Sequence, residues 1–167
     1  MVIAGIDPGL TGAIAVLDDD GLVLFDLPVY RVATSTSKAR TRGELDMGKL
    51  HSFLAESAPM IDHVFIERVS AHPGQGVTSM FRFGYACGAI HMAVTAIELP
   101  CTFVTPQAWQ KTQGVGPGPD AARQRAASLY PQHRESFTRK LDQHRADAVL
   151  IARHGHMMLN QTRRDAA

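Results

Sequence analysis

The spacing of apolar segments along the chain constrains its fold more than any other feature of the sequence. Three short apolar segments (2–7, 13–17 and 22–27) lie close together, separated only by turns rich in Gly, Pro and Asp. This spacing predicts a meander of three strands. Beyond residue 45, helical apolar periodicity alternates with short β-branched segments, which is typical of α/β proteins. We therefore expect an α/β fold whose sheet has strands in mixed directions.

The later segments complete this expected order of elements. Apolar residues at helical spacing predict helices over 46–57, 76–97, 121–130 and 142–156, and apolar segments predict strands over 62–69 and 101–105. The sheet would then contain five strands flanked by helices. Segment 31–43 has no apolar periodicity and carries four basic residues, so we expect a mobile loop there.

Length and composition exclude several classes of protein. The chain has 167 residues, 45% hydrophobic and 20% charged, which is ordinary for a globular domain. We expect one domain over 1–158 and a polar tail at 159–167. The two cysteines, Cys87 and Cys101, exclude a disulfide scaffold and fit a reducing compartment. The sequence has neither a run of 18 apolar residues nor a basic signal-peptide start, so we expect a soluble cytoplasmic protein without a membrane partner.

The formal net charge of +1 conceals an uneven distribution of charge. Residues 1–67 contain ten acids and five bases, whereas residues 120–167 contain nine bases and five acids. A basic half of this kind is compatible with nucleic-acid binding and equally with a solvated basic helix.

Three acidic residues lie within apolar sequence. Asp7 ends the segment VIAGI, Glu67 lies inside VFIERV, and Asp147 is flanked by alanines on an apolar helix. Each alone could be a helix cap or a salt-bridged core acid, but three in separate elements favour a shared site. Grouped carboxylates bind Mg²⁺ or Mn²⁺, and two such ions about 3.5–4 Å apart stabilise phosphodiester displacement. His144 shares a helical face with Asp147, so it is either a surface residue or a fourth member of the site.

Four segments together resemble the RuvC family of Holliday junction resolvases. They are GIDPGLTG at 5–12, the strand ending in IE at 66–67, SMFRFGYACG at 79–88 and HRADA at 144–148. Their order and spacing match over 2–155, although the first segment alone is shared with actin-like ATPases. The segment HPGQGVTSMF at 72–81 resembles phage- and prophage-encoded members of the family.

The resemblance implies a ribonuclease H-like fold, a homodimer, and Mg²⁺-dependent paired nicking of four-way DNA junctions. It also implies two metal ions per site and a branch-migration helicase as a partner. The catalytic and metal-binding positions of the family fall on Asp7, Glu67, His144 and Asp147. Its basic DNA-binding positions correspond approximately to Lys111, Arg123 and the nearby Arg125. In well-studied members of the family an aromatic residue probes the junction, and Ser70 occupies the corresponding position in this chain.

Two further expectations concern packing. Small residues in the helix at 76–97 (Gly84, Gly88 and Ala89) suggest a dimer contact, or else close packing of this helix on its own sheet. Trp109, in the segment PQAWQK, is expected to be a half-buried anchor.

Three alternative functions compete with this interpretation. An actin-like ATPase needs two lobes, and 167 residues supply only one. A ribonuclease H-like nuclease acting on RNA–DNA hybrids would use the same carboxylates. A catalytically silent dimer that binds branched DNA would have no use for three clustered acids, which repel one another.

Overall fold

The computed structural model of the chain describes residues 1–34, 37–70, 74 and 76–166, and in these ranges it contains seven strands and five α-helices. The strands are β1 (Ile3–Asp7), β2 (Ala13–Leu17), β3 (Leu22–Asp26), β4 (Val29–Thr34), β5 (Ser37–Leu45), β6 (His63–Glu67) and β7 (Cys101–Val104). The α-helices are α1 (Met47–Ser57), α2 (Val77–Ala96), α3 (Pro106–Gln113), α4 (Ala121–Leu129) and α5 (Gln143–Asp165).

Five strands form the main sheet, in the order β3-β2-β1-β6-β7. The pairs β1–β2 and β2–β3 are antiparallel, as expected for a meander, whereas β6 and β7 continue the sheet parallel to β1. This arrangement confirms the predicted α/β fold with a mixed five-stranded sheet. Because β1, β6 and β7 run in the same direction, their carboxyl ends lie at one edge of the sheet, where α/β proteins place their functional residues.

Helices cover both faces of the sheet. One apolar cluster contains Ile3 and Phe65 together with residues of α4 and α5, and the other contains Ile6 and Ile66 together with residues of α1 and α2. Alternate residues of β1 therefore contribute to opposite cores, as the two-residue period of a strand requires. Both faces are buried, so β1 is apolar throughout until Asp7.

Gly5 allows α5 to lie against β1. A Cβ atom at this position would lie 2.3 Å from the backbone oxygen of Ala148 and 2.3 Å from the backbone nitrogen of Ala152. Any side chain would therefore push the helix away from the strand. This close approach places the first turns of α5 beside the carboxyl end of β1.

The expectation of a mobile loop over 31–43 is wrong within the described residues. Strands β4 and β5 pair with each other as a separate antiparallel hairpin, with Tyr30 opposite Glu44 and Val32 opposite Arg42. Arg31 and Arg42 are exposed, and the hairpin pairs with no strand of the main sheet. A hairpin of this kind has little apolar alternation, which is why its sequence resembles a loop. Residues 35 and 36 lie outside the described residues.

Two helices differ from the sequence prediction. The prediction missed α3, although Thr105 caps it by accepting from the Ala108 N–H and Pro106 occupies its first turn. The last helix was predicted to end at residue 156, but α5 continues to Asp165 and includes most of the predicted polar tail. None of the helices in the described ranges is both long and apolar enough to cross a membrane.

Candidate active site

Two of the three predicted acids end neighbouring parallel strands. Asp7 is the last residue of β1 and Glu67 is the last residue of β6, in a register that pairs Ile6 with Ile66. Asp7 lies four residues after Ile3, and Glu67 lies two residues after Phe65. Because alternate residues of a strand share a face, both acids lie on the face of the sheet that α5 covers. Asp7 is only 6% exposed, and Glu67 is partly buried.

Helix α5 supplies the other two residues of the site. His144 and Asp147 lie in its first two turns, three residues apart and therefore on one helical face. The His144 Nδ1 atom lies 2.6 Å from Asp7 Oδ2, and its Nε2 atom lies 2.9 Å from the Thr11 hydroxyl. The contact between α5 and β1 therefore joins residues that are 137 positions apart in the sequence.

Each of the three acids has a hydrogen-bonding partner within the protein. Asp7 is paired with His144, whereas Trp109 Nε1 donates to Glu67 Oε1 at 2.8 Å. Gln143 Nε2 donates to Asp147 Oδ1 at 2.9 Å. Hydrogen bonds to a carboxylate offset part of the cost of burying its charge. Each of the three acids of the site is thus held in a defined orientation by a neighbouring side chain.

Burial and mutual repulsion raise the pKa values of these acids. Burial raises the pKa of Asp147 to about 7, and the negative charges of Asp7 and Glu67 add to this effect. Burial also raises the pKa of Asp7, against the hydrogen bond from His144, and that of Glu67, against the hydrogen bond from Trp109. The hydrogen bond to Asp7 raises the pKa of His144. The charge of each of these four residues contributes to the pKa of at least one of the others, as expected for neighbouring titratable groups.

The chemistry of this donor set suits a hard divalent cation. Carboxylate oxygens are the preferred ligands of Mg²⁺ and Mn²⁺, and a cation would relieve the repulsion from Asp7 and Glu67 that adds to the effect of burial on the pKa of Asp147. Within the described residues, no three side chains of the His, Cys, Asp or Glu type are already gathered in a metal-binding arrangement. The carboxylates therefore fit a cation by type and charge, while their present orientations are set by hydrogen bonds within the protein.

Three neighbours of the acids were not predicted as site residues. Trp109 was expected to be half-buried, but it is 1% exposed and contacts Glu67 directly. Thr11 belongs to the turn after β1, and Gln143 begins α5. Gln143 was detectable in the sequence, because it precedes Asp147 by four residues on a predicted helix. The role of Trp109 was not detectable in the sequence, because its hydrogen bond to Glu67 depends on the pairing of β6 with β7.

The three predicted DNA-binding residues lie in different environments. Lys111 is exposed on α3. The Arg123 side chain is 14% exposed, forms an ion pair with Asp120 and donates to the backbone oxygens of Phe137 and Thr138. Arg125 donates through Nε to the backbone oxygen of Gln113 at 2.6 Å. Both arginines thus hold α4 against neighbouring segments, whereas Lys111 projects into solvent.

Comparison with known proteins identifies similar folds but no close relative. No protein-family model and no curated protein matches the sequence. The structure of Thermus thermophilus RuvC in complex with a Holliday junction substrate is similar over 96% of both chains, with a TM-score of 0.65 and 17% identity. A second structure of Thermus thermophilus RuvC is similar over 97% of both chains, with a TM-score of 0.62 and 18% identity. Neither comparison supports the expected phage-type assignment. The chain thus has the ribonuclease H-like fold of RuvC.

Proposed function

We propose that this protein is a metal-dependent endonuclease that resolves four-way DNA junctions by paired nicking. The observation that carries the proposal is the grouping of Asp7, Glu67 and Asp147 at one edge of the sheet, on three different elements. The fold supports the proposal, because one similar structure is that of RuvC in complex with a Holliday junction substrate.

Asp7, Glu67 and Asp147 would hold the divalent cation, and the proposal includes two ions at each site. When bound, the cation would activate water and stabilise the charge that develops on the phosphodiester. His144 keeps the Asp7 carboxylate oriented through Nδ1, and its Nε2 atom lies at the exposed Thr11 hydroxyl. An imidazole that donates Nδ1–H to a carboxylate presents Nε2 as a proton acceptor. We therefore assign His144 the role of holding a proton during hydrolysis.

The outer surface of α2 supports a homodimer. Val77, Phe81 and Tyr85 follow one another at four-residue spacing and are 86%, 74% and 61% exposed. A Cβ atom at Gly84 or Gly88 would meet nothing within 4 Å, so these glycines are not needed for packing within the chain. Apolar residues at helical spacing on a solvent-facing surface favour association. A two-fold axis through such a contact would give two sites, one for each opposed strand of a junction.

Contacts with phosphate would provide most of the DNA affinity. Lys111 is the strongest of the predicted contacts, because its ammonium group is exposed on α3 and Trp109 of the same helix reaches Glu67. We also expect a branch-migration helicase as a partner, from the resemblance to RuvC, and a cytoplasmic location, from the cysteine content of the sequence.

Cleavage of labelled substrates tests the proposal. A mobile four-way junction, a linear duplex and an RNA–DNA hybrid are each incubated with Mg²⁺ or EDTA. We expect nicking of the junction alone and only with Mg²⁺. Asp7→Asn should abolish nicking and retain junction binding, because it removes a ligand charge and also reduces repulsion of phosphate. Preferential cleavage of the hybrid would replace this proposal with that of a ribonuclease H-type enzyme.

A further inference from the structure

Trp109 is the only tryptophan of the chain, and it contacts the candidate active site. Its side chain is 1% exposed, and its Nε1–H group donates to Glu67 Oε1 at 2.8 Å. An indole has one donor and no acceptor, so a buried tryptophan must find one acceptor for this group. Here the acceptor is a carboxylate of the site, although most of the indole packs in the core below it.

The position of Trp109 follows from the order of the parallel strands. β7 is the neighbour of β6, with Val104 opposite Glu67, and α3 begins directly after β7 with Thr105 as its cap. The second turn of α3 therefore lies beside the carboxyl end of β6. From this position the Trp109 indole packs in the core and its N–H group still reaches the Glu67 carboxylate.

The hydrogen bond fixes one of the two carboxylate oxygens of Glu67. Rotation of the carboxylate would break the bond and leave the buried indole N–H without an acceptor, which is costly. Oε1 therefore accepts the hydrogen bond from Trp109, and Oε2 is the oxygen available to bind a cation. The same helix carries the exposed Lys111, so the orientation of Glu67 depends on the placement of a candidate DNA-binding helix.

We propose that Trp109 is a positioning residue that orients the Glu67 carboxylate for the divalent cation and ties helix α3 to the site. The inference rests on the proposed function for its role in catalysis, but the contact itself can be tested without any cleavage assay. A purely structural role would require only that the indole fill the core, whereas positioning requires that Trp109 respond to what Glu67 binds.

Nuclear magnetic resonance can follow this contact directly, because the full chain has a single indole N–H group. The indole resonance is recorded during titration with Mg²⁺ and again in the Glu67→Gln variant. We expect a saturable shift with Mg²⁺ that EDTA reverses, and a displaced resonance in Glu67→Gln that no longer responds to Mg²⁺. A resonance that stays unchanged in both experiments would overturn the proposal.

Removing the donor tests the consequence for the reaction. Trp109→Phe keeps an aromatic ring but lacks the N–H group, so we expect the Mg²⁺ concentration for half-maximal nicking to rise about 10-fold or more. Thr112→Val is the matched control, since Thr112 anchors the same helix to His154 at 2.6 Å and does not contact Glu67. The control should leave the Mg²⁺ dependence unchanged. Equal Mg²⁺ dependence of Trp109→Phe and the wild type would contradict the proposal.

The two measurements separate this inference from the proposed function. If the wild type cleaves none of the substrates but its indole resonance responds to Mg²⁺ and to Glu67→Gln, the junction nuclease is wrong and the positioning role stands. If the wild type nicks junctions while neither Mg²⁺ nor Glu67→Gln changes the indole resonance, the positioning role is wrong and the proposed nuclease function stands. Circular dichroism checks the fold of each variant, and should Trp109→Phe not fold, the resonance of the wild type and Glu67→Gln decides the question.

Discussion

At the scale of single residues, the buried acids of the site lower the stability of the folded protein in the absence of a cation. The pKa of Asp147 rises from 3.8 to about 7 chiefly because of burial, and those of Asp7 and Glu67 are raised in the same direction. Between pH 3.8 and about pH 7, the folded protein binds more protons at Asp147 than the unfolded chain does. Its stability therefore falls as the pH rises through this range. The pKa of His144 is also raised, and the stability it contributes is likewise lost as the pH rises through its folded value.

Asp147→Asn should therefore stabilise the protein. The asparagine side chain keeps an oxygen for the Gln143 donor but carries no charge, so in EDTA at pH 8 the variant should unfold several degrees above the wild type. It should also show a weaker fall in melting temperature between pH 4 and pH 7. Thermal unfolding followed by circular dichroism measures both effects. Asp20→Asn, at an exposed turn, is the control; an effect as large there would contradict the assignment to burial.

The proximity of the three acids could be expected from the sequence, because a carboxylate within an apolar segment has few structural explanations. The proximity of His144 could be expected because it precedes Asp147 by three residues on a helix. The hydrogen bond from Trp109 to Glu67 could not, because 42 residues separate them and only the pairing of β6 with β7 brings them together.

At the scale of elements, a strand or helix is predictable from the sequence to the extent that it is buried. Strands with two buried faces, such as β1 and β6, are continuous apolar segments and were predicted within a residue or two. The hairpin of β4 and β5 was missed because pairing within itself requires no apolar face. Helix α3 was missed because only eight residues form it and few of them are apolar, so its cap at Thr105 was the better signal.

The environments of Lys111 and Arg123 predict different effects of alanine substitution. Lys111→Ala should lower the slope of log affinity against log salt by roughly 0.9, the value for one lost phosphate contact with duplex DNA. Arg123→Ala should mainly lower the melting temperature, because its guanidinium holds Asp120 and two backbone oxygens. Fluorescence anisotropy on a labelled junction from 50 to 300 mM salt, a range of about sixfold, resolves the slopes. Equal loss of slope in both variants would place Arg123 on the DNA instead.

At the scale of the whole molecule, paired nicking requires two copies of the site. The exposed surface of α2 provides the contact that we propose, and Ala89 is less suitable for testing it because it packs partly against the core of its own chain. Phe81 is 74% exposed, so a charge there should leave the fold intact.

Phe81→Glu should therefore convert a dimer into a folded monomer. Size-exclusion chromatography with light scattering gives the mass, and circular dichroism gives the fold. Met60→Glu is the matched control, because Met60 is 63% exposed on another part of the surface, between α1 and β6. The control should remain dimeric. A wild-type protein that is monomeric at high concentration and on junction DNA would contradict the dimer.

Paired nicking of a four-way junction can be measured on a supercoiled plasmid that extrudes a cruciform. The cruciform is a four-way junction, and two nicks made within the lifetime of one complex convert the circle to a linear product, whereas separated single nicks leave a relaxed circle. We predict that the wild type with Mg²⁺ gives linear DNA cut at the cruciform, that Phe81→Glu gives mainly nicked circles, and that Asp7→Asn gives neither. Intact plasmid with the wild type in Mg²⁺, or equal cleavage of a plasmid that lacks the cruciform, would rule out a junction-resolving nuclease.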